Sequence, residues 1–538
     1  MTKTPVLQIK GLSIGQQAQA RTELVRDVSL TVRAGETVCV VGESGSGKSL
    51  TALSIMGLLD PAALRPTAGQ ILLEGEDVLR VSPARMRALR AARMSMIFQE
   101  PMSALNPAAR IGAQIDEVLR LHTPLPPRTR KARVMDMLAA AQLPDPPRIY
   151  AAYPHQLSGG QLQRVMICMA LILRPRLLIA DEPTTALDVG TQRQILSLIA
   201  ALQAQQGTAV LFITHDFGVV ADIADRVVVM RAGAVVETGP RDSILRAPSQ
   251  PYTRDLIAAV PSLRPPVRAP IASATALEVN ALSKSFTARR LLRSVSRTEA
   301  VANISLHVRS GEVLGIVGPS GSGKSTLARC IMGLERPDQG QVRIAGRDIS
   351  PLRDARRDLQ MVFQDPYRSL NPRLNIRDAL TEGPTNFGTP LATARAAAEA
   401  MITRVGLSPA ALQRYPHQFS GGQRQRIAIA RALMLRPKVL VADEAVSALD
   451  VSVQAQILHL LDQIRRETVL SIVFITHDLR VAAQICDRIM VMQDGRVVED
   501  GPAHTVLTAP KAPLTRELLD AAPGRAWDFV AGAPMPKG

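Results

Sequence analysis

The chain repeats itself once, and this duplication constrains the fold more than any other feature. Five motifs occur in the same order in both halves, among them GESGSGKS and GPSGSGKS, which begin at Gly42 and Gly318. Other repeated residues return 262 positions later: Ser158 as Ser420, Asp181 as Asp443, and His215 as His477. Solenoid repeats have only about 20–45 residues per unit. The sequence therefore predicts two copies of one complete domain.

The duplication places one domain at residues 1–260 and the other at residues 276–538. Between them, residues 261–275 read PSLRPPVRAPIASAT, which is rich in Pro and Ala and lacks helical periodicity. Such a composition is typical of an extended linker. The 538 residues are 46% hydrophobic and 21% charged, close to the globular average, so a disordered or fibrous chain is excluded.

Within each copy, the apolar segments predict an α/β fold. Short runs such as LLIAD and VLVAD are continuously apolar, which is typical of strands in a parallel sheet that is covered on both faces. In the first copy, the segments ARIGAQIDEVLRL and TRKARVMDMLAAAQL, which lie between FQEPMSALNP and LSGGQ, carry apolar residues at helical spacing. They predict a helical subdomain.

Neither a membrane span nor a secretion signal is expected. No segment approaches the ~18–20 uncharged apolar residues that cross a bilayer, and the first residues lack the apolar core of a signal peptide. We therefore expect the chain to remain in the cytoplasm. Its cysteines are far apart and form no C-x-x-C pair, which argues against a zinc site, an iron–sulfur cluster and disulfides. They are predicted to be small core residues: Cys39, Cys168, Cys330 and Cys486.

The chain is basic, with 64 Lys and Arg against 47 Asp and Glu and a net charge of +17. This charge favours contact with nucleic acid, a nucleotide or an anionic membrane surface, and charge alone does not choose among them. Aromatic residues are only 3%, and no aromatic-studded basic segment of the kind that binds single-stranded nucleic acid is present. We interpret most of the charge as solvated surface.

Both copies contain the pattern G-x-x-x-x-G-K-[ST], each placed after an apolar run and before a helical one. The glycines let successive backbone N–H groups turn inward around a phosphate, and the following helix adds the positive end of its dipole. The lysine reaches the β- and γ-phosphate oxygens, and the hydroxyl ligates Mg²⁺. The predicted nucleotide-binding residues are Gly42, Glu43, Ser44, Gly45, Ser46, Gly47, Lys48, Ser49 and Leu50, and Gly318, Pro319, Ser320, Gly321, Ser322, Gly323, Lys324, Ser325 and Thr326.

Paired carboxylates follow apolar strands in both copies. Asp181 and Asp443 end their runs, where a carboxylate can hold Mg²⁺ through water, and Glu182 and Glu444 come next. Phosphoryl transfer requires mainly charge stabilisation and a positioned nucleophile. A glutamate at the strand tip can polarise the attacking water, so both copies are predicted to hydrolyse ATP.

In each copy, the G-x-x-x-x-G-K-[ST] segment is the P-loop. The segments LSGGQ and FSGGQ lie after the P-loop and before the Asp-Glu pair. In this position they closely resemble the signature of ABC ATPases, and the resemblance covers nearly the whole chain. It implies tandem P-loop NTPase domains of ABC type, each with a mixed or parallel sheet core and a helical subdomain. It also implies that each signature contacts the ATP held by the opposite domain, so that two ATP molecules are clamped head to tail. The signature residues are Ser158, Gly159, Gly160, Gln161, Ser420, Gly421, Gly422 and Gln423.

The same resemblance implies roles for further residues. Gln99 and Gln364 sense Mg²⁺ and the γ-phosphate, and His215 and His477 contact the γ-phosphate as catalytic residues beside the two glutamates. The implied Mg²⁺ ligands are Ser49, Gln99, Asp181, Ser325, Gln364 and Asp443. Residues 186–188 and 448–450 match the segment called the D-loop in this family, which the resemblance places at the interface between the two domains.

An aromatic residue upstream of the P-loop stacks on adenine in this family. Phe286 lies nine residues past Leu277 in the second copy, whereas the same count from Leu7 reaches Gln16. The first ATP site is therefore expected to bind ATP less tightly, unless an aliphatic neighbour such as Ile14 covers the base.

Two loop motifs and one tail indicate the branch of the family. FQEPMSALNP, FQDPYRSLNP and PSQPYTRDLIAAVP are similar to segments of ATPases that power peptide, nickel and opine importers, and PLTRELLDAAP is a degenerate second tail. Fused tandem forms occur in importers for oligopeptides and for glutathione. The resemblance implies two permease subunits, an extracytoplasmic solute-binding protein, one copy of this chain per transporter, and a peripheral location on the cytoplasmic side of the inner membrane, without nucleic acid. Ala445 and Phe419 depart from Pro183 and Leu157 of the first copy without loss of a polar role.

Three alternatives stay open at this point. A nickel or opine importer of the same branch has similar loops. Translation factors built from two ABC domains also lack membrane segments, but they carry a long charged helical linker that this chain does not have. DNA-repair ABC ATPases would require zinc cysteines or a long coiled-coil insertion.

Overall fold

The computed structural model of the chain describes most of its residues. The described ranges are 4–17, 23–184, 187–269, 271–290, 293–349, 352–447, 449–529 and 533–534. They group into two compact units. Unit 1 comprises residues 1–187, 191–258 and 523–538, and unit 2 comprises residues 188–190 and 259–522.

Unit 1 alternates strands and helices along the chain. Its strands are β1 (Pro5–Gln16), β2 (Glu23–Arg33), β3 (Thr37–Val41), β4 (Leu64–Leu73), β5 (Glu76–Asp77), β6 (Met94–Ile97), β7 (Leu177–Asp181), β8 (Ala209–Ile213), β9 (Arg226–Arg231) and β10 (Ala234–Pro240). Its helices are α1 (Lys48–Ile55), α2 (Pro83–Leu89), α3 (Pro101–Ala104), α4 (Ile111–His122), α5 (Pro127–Ala140), α6 (Pro146–Ala151), α7 (Gly159–Leu171), α8 (Val189–Gln206), α9 (Phe217–Ile223), α10 (Arg241–Arg246) and α11 (Pro251–Ala258).

Unit 2 repeats this order. Its strands are β11 (Thr275–Arg290), β12 (Arg293–Arg309), β13 (Val313–Val317), β14 (Gln339–Ile344), β15 (Arg347–Asp348), β16 (Leu359–Val362), β17 (Val439–Asp443), β18 (Ser471–Ile475), β19 (Arg488–Gln493) and β20 (Arg496–Pro502). Its helices are α12 (Lys324–Ile331), α13 (Leu352–Asp358), α14 (Pro366–Ser369), α15 (Ile376–Asn386), α16 (Leu391–Arg404), α17 (Gly421–Leu433), α18 (Val451–Thr468), α19 (Leu479–Ile485), α20 (Ala503–Thr508) and α21 (Pro513–Ala521). Short 3-10 helices precede α7 and α17.

A six-stranded sheet forms the centre of each unit, in the order β10-β9-β3-β8-β7-β6 in unit 1 and β16-β17-β18-β13-β19-β20 in unit 2. β3 pairs in parallel with β8 and β9, and β7 pairs in parallel with β8. Every residue of β3, β7 and β8 is buried, because helices cover both faces of a parallel sheet. The predicted α/β fold and its continuously apolar strands are confirmed.

The parallel order brings the candidate site residues to one edge of the sheet. Residues 42–47 follow the carboxyl end of β3, Glu182 follows β7, and His215 comes shortly after β8. Because β3, β7 and β8 run in the same direction, their carboxyl ends lie at the same edge. The sheet therefore places three chemically distinct segments, far apart in sequence, side by side.

A second, antiparallel sheet accompanies each central sheet, in the order β2-β1-β4-β5 in unit 1 and β12-β11-β14-β15 in unit 2. The sequence did not predict it. β1 pairs with β2 through register shifts, including those between Ile9 and Leu12 and between Leu12 and Ile14. Bulges of this kind interrupt the alternation of buried and exposed residues that indicates a half-buried strand.

The predicted helical subdomain is present. Helices α4 and α5 fall in the two segments with helical apolar spacing, and they pack around buried residues that include Ile115, Val134 and Leu138. All four cysteines are buried and unpaired, which confirms their assignment to the core. None of the helices in the described part of the chain combines the length and apolar character that a bilayer span requires.

The last described residues belong to unit 1, although they follow unit 2 in the chain. Two short strands, β21 (Trp527–Asp528) and β22 (Ala533–Pro534), pair there. The ring of Trp527 is buried beneath the Arg246 guanidinium, 5.5 Å from the ring centroid. Gly524 N–H donates to the Asp222 carboxylate at 2.9 Å. A side chain at Gly218 would stand 2.6 Å from the carbonyl oxygen of Pro523, so only glycine lets this segment pack there.

Candidate functional site

Each P-loop is a glycine-rich turn between a central strand and a helix. Gly42 and Gly318 have φ of 148° and 154°, a region that favours glycine. A Cβ at Gly42 would lie 2.1 Å from the Met230 carbonyl oxygen, whereas one at Gly45 would meet nothing within 4 Å. Gly42 is therefore required by the close approach of β9, whereas the space beside Gly45 is open.

The P-loop lysines are buried and bound by oxygen atoms of their own loops. Lys48 Nζ donates to the carbonyl oxygens of Gly42 at 2.7 Å and Glu43 at 2.8 Å. Lys324 Nζ makes the matching bonds to Gly318 and Pro319, both at 2.8 Å. Burial lowers the pKa of Lys324, against the attraction of Glu444. Both ammonium groups are thus held at the loop, where a phosphate chain would be bound.

A hydroxyl–carboxylate pair stands next to each lysine. Ser49 Oγ donates to Asp181 Oδ1 at 3.1 Å, and Ser325 Oγ donates to Asp443 Oδ1 at 3.3 Å. Burial raises the pKa of Asp181 to about 6, although the Ser49 hydrogen bond lowers it. Burial also raises the pKa of Asp443. Hydroxyl and carboxylate oxygens are the ligands that Mg²⁺ prefers, so both pairs fit this ion.

A glutamate, a glutamine and a histidine converge at the ends of β7 and β8. Gln99 Nε2 donates to Glu182 Oε2 at 3.0 Å, and His215 Nδ1 lies 3.4 Å from Glu182 Oε1. The φ of Glu182 is 46°, a left-handed conformation that costs a non-glycine residue energy and is frequent at functional sites. Its N–H donates to the Ile213 carbonyl at 3.0 Å, which holds this conformation in place.

The second copy repeats this cluster. Gln364 Nε2 donates to Glu444 Oε2 at 2.7 Å, and His477 Nδ1 lies 3.5 Å from Glu444 Oε1. Burial raises the pKa of Glu444, but its hydrogen bond with His477 and the charges of His477 and Lys324 together more than compensate, so the pKa lies below its usual value. Burial lowers the pKa of His477, and Glu444 raises it above the usual value in the net result. Glu444 is therefore an ionised carboxylate that accepts hydrogen bonds on both oxygens.

The signature serines cap the N-termini of α7 and α17. Ser158 Oγ accepts from the Gln161 N–H, and the Gln161 side chain accepts from the Ser158 N–H, a capping box that Ser420 and Gln423 repeat. A Cβ at Gly160 would meet the Thr191 methyl at 2.8 Å, and one at Gly422 would meet Val453 at 2.6 Å. Gly159 and Gly421 face open space. Of the predicted D-loops, Ala186 and Ala448 lie outside the described residues.

The site residues within each unit form one cluster and one separate element. Each unit brings together its P-loop lysine, hydroxyl and carboxylate pair with its glutamate, glutamine and histidine. The signature residues stand apart, at the start of another helix. Sequence reasoning missed Tyr252, whose hydroxyl accepts the Glu43 N–H at 3.3 Å; the only signal was its place in the PYTR segment.

The family description "ABC transporter" matches residues 25–185 and 301–447. The chain belongs to this ABC transporter family. It binds ATP and is an ATPase, as its P-loops predicted, and the predicted tandem α/β fold of ABC type is confirmed. A second family, described as the C-terminal region of oligopeptide/dipeptide transporters, matches residues 236–295.

Curated members of the ABC transporter family resemble the whole chain. The glutathione import ATP-binding protein GsiA of Salmonella choleraesuis (strain SC-B67) is 46% identical, over 96% of this chain and 89% of its own length. GsiA of Escherichia coli (strain K12) is 45% identical over the same shares. Among solved structures, an archaeal ribosome recycling factor, aABCE1, in complex with the stalk protein aP1, has a TM-score of 0.60. It is 20% identical over 89% of this chain and 88% of its own, which shows the fold alone.

Strand register identifies the residue of unit 1 that corresponds to Phe286, the residue predicted to stack on adenine in unit 2. Ser285 pairs with Glu299 in unit 2, and Gly15 pairs with Glu23 in unit 1, so Gln16 is the structural equivalent of Phe286. The Phe286 ring is 44% exposed and therefore accessible to a base. Ile14 is fully buried, so its side chain offers no exposed surface to cover a base in unit 1.

We predict that the first site binds ATP about fivefold more weakly than the second, because one base–aromatic stack is worth ~1 kcal/mol or more. ATP titration of Lys324→Ala reports the first site, and titration of Lys48→Ala reports the second. Phe286→Ala should remove the difference, and Gln16→Phe should tighten the first site. Equal affinities in the two lysine variants would contradict the assignment of Phe286.

Proposed function

We propose that this chain is the ATP-hydrolysing subunit that powers the import of peptide-like solutes through separate membrane permeases. One observation carries the proposal: a chain with two complete P-loop, carboxylate, glutamine and histidine clusters also contains the C-terminal region of oligopeptide/dipeptide transporters at residues 236–295. The relatives that import glutathione, a tripeptide, support the same class of solute.

The residue roles follow from the two clusters. The P-loop amides and Lys48 or Lys324 bind the phosphate chain of ATP, at residues 42–50 and 318–326. When bound, Mg²⁺ neutralises charge on the phosphate oxygens, and the residues that would hold it are Ser49 with Asp181 and Ser325 with Asp443. Gln99 and Gln364 complete these sites from the neighbouring loop.

Glu182 and Glu444 orient the attacking water and accept its proton. Each carboxylate is fixed by a strained backbone and by hydrogen-bond donors on its two oxygens. Release of the glutamine amide from the glutamate would free that carboxylate oxygen to accept a hydrogen bond from the water. His215 and His477 contact the γ-phosphate, where an imidazole N–H donor stabilises the charge that develops during transfer.

The signature residues complete each ATP site from the other copy. Gly159 and Gly421 are the first residues of their helices, and a Cβ at either position would meet nothing within 4 Å, which suits the binding of a γ-phosphate by a helix N-terminus. One chain would then carry both ATP sites of a transporter. This part of the proposal rests on the family resemblance.

The partners are two integral-membrane permeases and, through them, a solute-binding protein outside the membrane. The chain would lie on the cytoplasmic side of the inner membrane. Gln99 links the nucleotide cluster to α3 and α4 of the helical subdomain, so ATP binding can rotate that subdomain against a bound permease helix. Sliding of packed helices in this way can pass a conformational change from the ATP site to the permease.

The experiment is deletion of the gene followed by uptake assays. We expect loss of uptake of labelled glutathione or of labelled di- to octapeptides, with restoration by the wild-type gene. Lys48→Ala combined with Lys324→Ala should fail to restore uptake, because both phosphate-binding ammonium groups are absent. Tyr150→Phe, which changes a ring in the helical subdomain, is the matched control and should restore it.

The alternatives are distinct outcomes of this experiment. A deletion strain that takes up every peptide normally but fails to accumulate nickel or an opine would overturn the peptide assignment. A translation defect with normal transport would overturn the importer assignment altogether. Nothing in the described residues or in the relatives favours the ribosome.

A further inference from the structure

A tyrosine outside the P-loop contacts the first nucleotide site. Tyr252 lies on α11, and its hydroxyl accepts the Glu43 N–H at 3.3 Å. The Arg231 guanidinium lies over the tyrosine ring, 4.6 Å from the centroid. Arg231 ends β9, the strand against which Gly42 packs. The ring is therefore held at the entrance of the P-loop.

The contact acts on a peptide group that the P-loop lysine also binds. The carbonyl oxygen of Gly42 and the N–H of Glu43 belong to the same planar peptide group. Lys48 Nζ donates to that carbonyl at 2.7 Å, while Tyr252 accepts from the N–H. The two side chains thus fix the orientation of one peptide plane from opposite sides. Together with the Glu43 carbonyl, to which Lys48 Nζ donates at 2.8 Å, the orientation of this plane positions the Lys48 ammonium group.

The helix that carries Tyr252 is anchored at its start. The Glu237 carboxylate accepts hydrogen bonds from Ser249 N–H at 2.7 Å, from Ser249 Oγ at 2.8 Å and from Gln250 N–H at 3.3 Å. Thr253, beside the tyrosine, is fully buried. The tyrosine therefore projects from a fixed element rather than from a loose tail.

The second copy keeps the glutamate that anchors the C-terminal helix, but all three residues of the tyrosine contact are replaced. Glu499 accepts from Lys511 N–H at 2.8 Å and from Ala512 N–H at 3.1 Å, at the start of α21. At the equivalent positions, 262 residues on, Leu514 replaces Tyr252 and Gln493 replaces Arg231. Pro319 replaces Glu43 as the second P-loop residue, and proline has no N–H to donate.

In the second copy, the covalent ring of Pro319 restricts the loop backbone, as the hydrogen bond from the Glu43 N–H to Tyr252 does in the first copy. The ring of Pro319 restricts its own φ and so limits rotation of the peptide group that Lys324 binds at 2.8 Å. Gly42 and Gly318 have nearly the same φ, 148° and 154°. The two loops thus reach one conformation by different routes, and three residues differ together between them.

We propose that Tyr252 is a positioning residue for the first ATP site, which orients Lys48 through the Glu43 N–H and makes ATP affinity there depend on the C-terminal extension. The proposal deepens the proposed function and rests on the binding of ATP by residues 42–50. The second site has no such dependence, because Pro319 fixes its loop without help from α21.

Tyr252→Phe tests the proposal, since it removes the hydroxyl and keeps the ring beneath Arg231. In the full chain carrying Lys324→Ala, we expect Mg²⁺–ATP to bind the first site about fivefold more weakly, which corresponds to ~1 kcal/mol for one hydrogen bond. The thermal midpoint of the nucleotide-free chain should fall by no more than about 2–4 °C, the shift that ~1 kcal/mol produces in a domain of this size. Tyr150→Phe removes a hydroxyl elsewhere in the same unit and should leave affinity unchanged.

A double-mutant cycle separates this role from general loss of structure. Glu43→Pro gives the first loop the residue that the second loop already has. In that background Tyr252→Phe should have no further effect on ATP affinity, and Glu43→Pro should restore the affinity lost in Tyr252→Phe. A fivefold loss that persists with Glu43→Pro would overturn the proposal, as would wild-type affinity in Tyr252→Phe.

Lys48→Ala distinguishes failure of this proposal from failure of the proposed function. If Lys48→Ala abolishes ATP binding while Tyr252→Phe does not weaken it, the role of Tyr252 alone is wrong. If Lys48→Ala leaves ATP binding unchanged, the ATP site at residues 42–50 is wrong, and the role of Tyr252 is overturned with it.

Discussion

Replacing Glu182 by glutamine is expected to lower ATP turnover at the first site by at least about 100-fold while ATP remains bound, because positioned general bases contribute about 10²–10⁴-fold. Glutamine has nearly the same shape as glutamate, but its amide cannot take a proton from water. Binding persists because Lys48, the P-loop amides and Asp181 are unchanged. Steady-state phosphate release and equilibrium ATP binding measure the two effects separately.

The second copy offers the matched experiment, since Glu444 makes the same contacts with Gln364 and His477. Glu444→Gln should lower turnover as Glu182→Gln does, and the double variant should bind two ATP molecules without releasing phosphate. Glu117→Gln, the same change on the exposed face of α4, is the control and should have wild-type turnover. Full activity in either single catalytic variant, measured with permeases present, would show that the site in question does not hydrolyse ATP.

The central sheet and the P-loops were predictable because their signals are local. The strand before Gly42 is buried over its whole length and apolar from residue 38 to residue 41, and the turn that follows carries glycine where φ is positive. LSGGQ likewise begins a helix, and Ser158 caps it through a pattern visible in four consecutive residues. In each case neighbouring residues determine the structure, so one short window contains the information.

The contacts made by Gln99 and Tyr252 were not predictable from local patterns. Gln99 meets Glu182 across 83 residues, and Tyr252 meets Glu43 across 209. No periodicity relates such distant positions, because tertiary packing alone brings them together. The role of Gln99 came from family resemblance, and that of Tyr252 came only from the structure. The burial of Trp527 in unit 1 is a third contact of this kind.

We expect the ionised Asp181 carboxylate to lower the stability of the folded, nucleotide-free chain, although the same negative charge is needed to hold Mg²⁺. Burial raises its pKa to about 6 in the folded chain, from 3.8 without burial. The folded state therefore holds the proton more tightly than the unfolded state. The extra stability that proton binding to Asp181 gives the folded state is fully present below pH 3.8, and it is lost as the pH rises through about 6. At pH 7 the ionised carboxylate thus lowers the free energy of unfolding by about 3 kcal/mol, at ~1.4 kcal/mol per pKa unit.

We predict that Asp181→Asn raises the stability of the nucleotide-free chain at pH 7 and abolishes Mg²⁺-dependent ATP hydrolysis at the first site. Asparagine is neutral at every pH and still accepts the Ser49 hydroxyl through its Oδ1 atom. It lacks the negative charge that would hold Mg²⁺. The gain should approach about 3 kcal/mol at pH 7 and disappear near pH 4, where the wild-type carboxyl is already protonated.

The chain contains a single tryptophan, and Trp527 packs in unit 1, so its fluorescence in urea reports the unfolding of the unit that contains Asp181. Titrations at pH 4 and pH 7, without Mg²⁺ or nucleotide, measure the predicted pH dependence. Asp443→Asn is the matched change in unit 2, and it should shift the tryptophan-detected transition less than Asp181→Asn does. A lower urea midpoint for Asp181→Asn than for wild type at pH 7 would show that the Asp181 carboxylate stabilises the empty site, contrary to the burial of its charge.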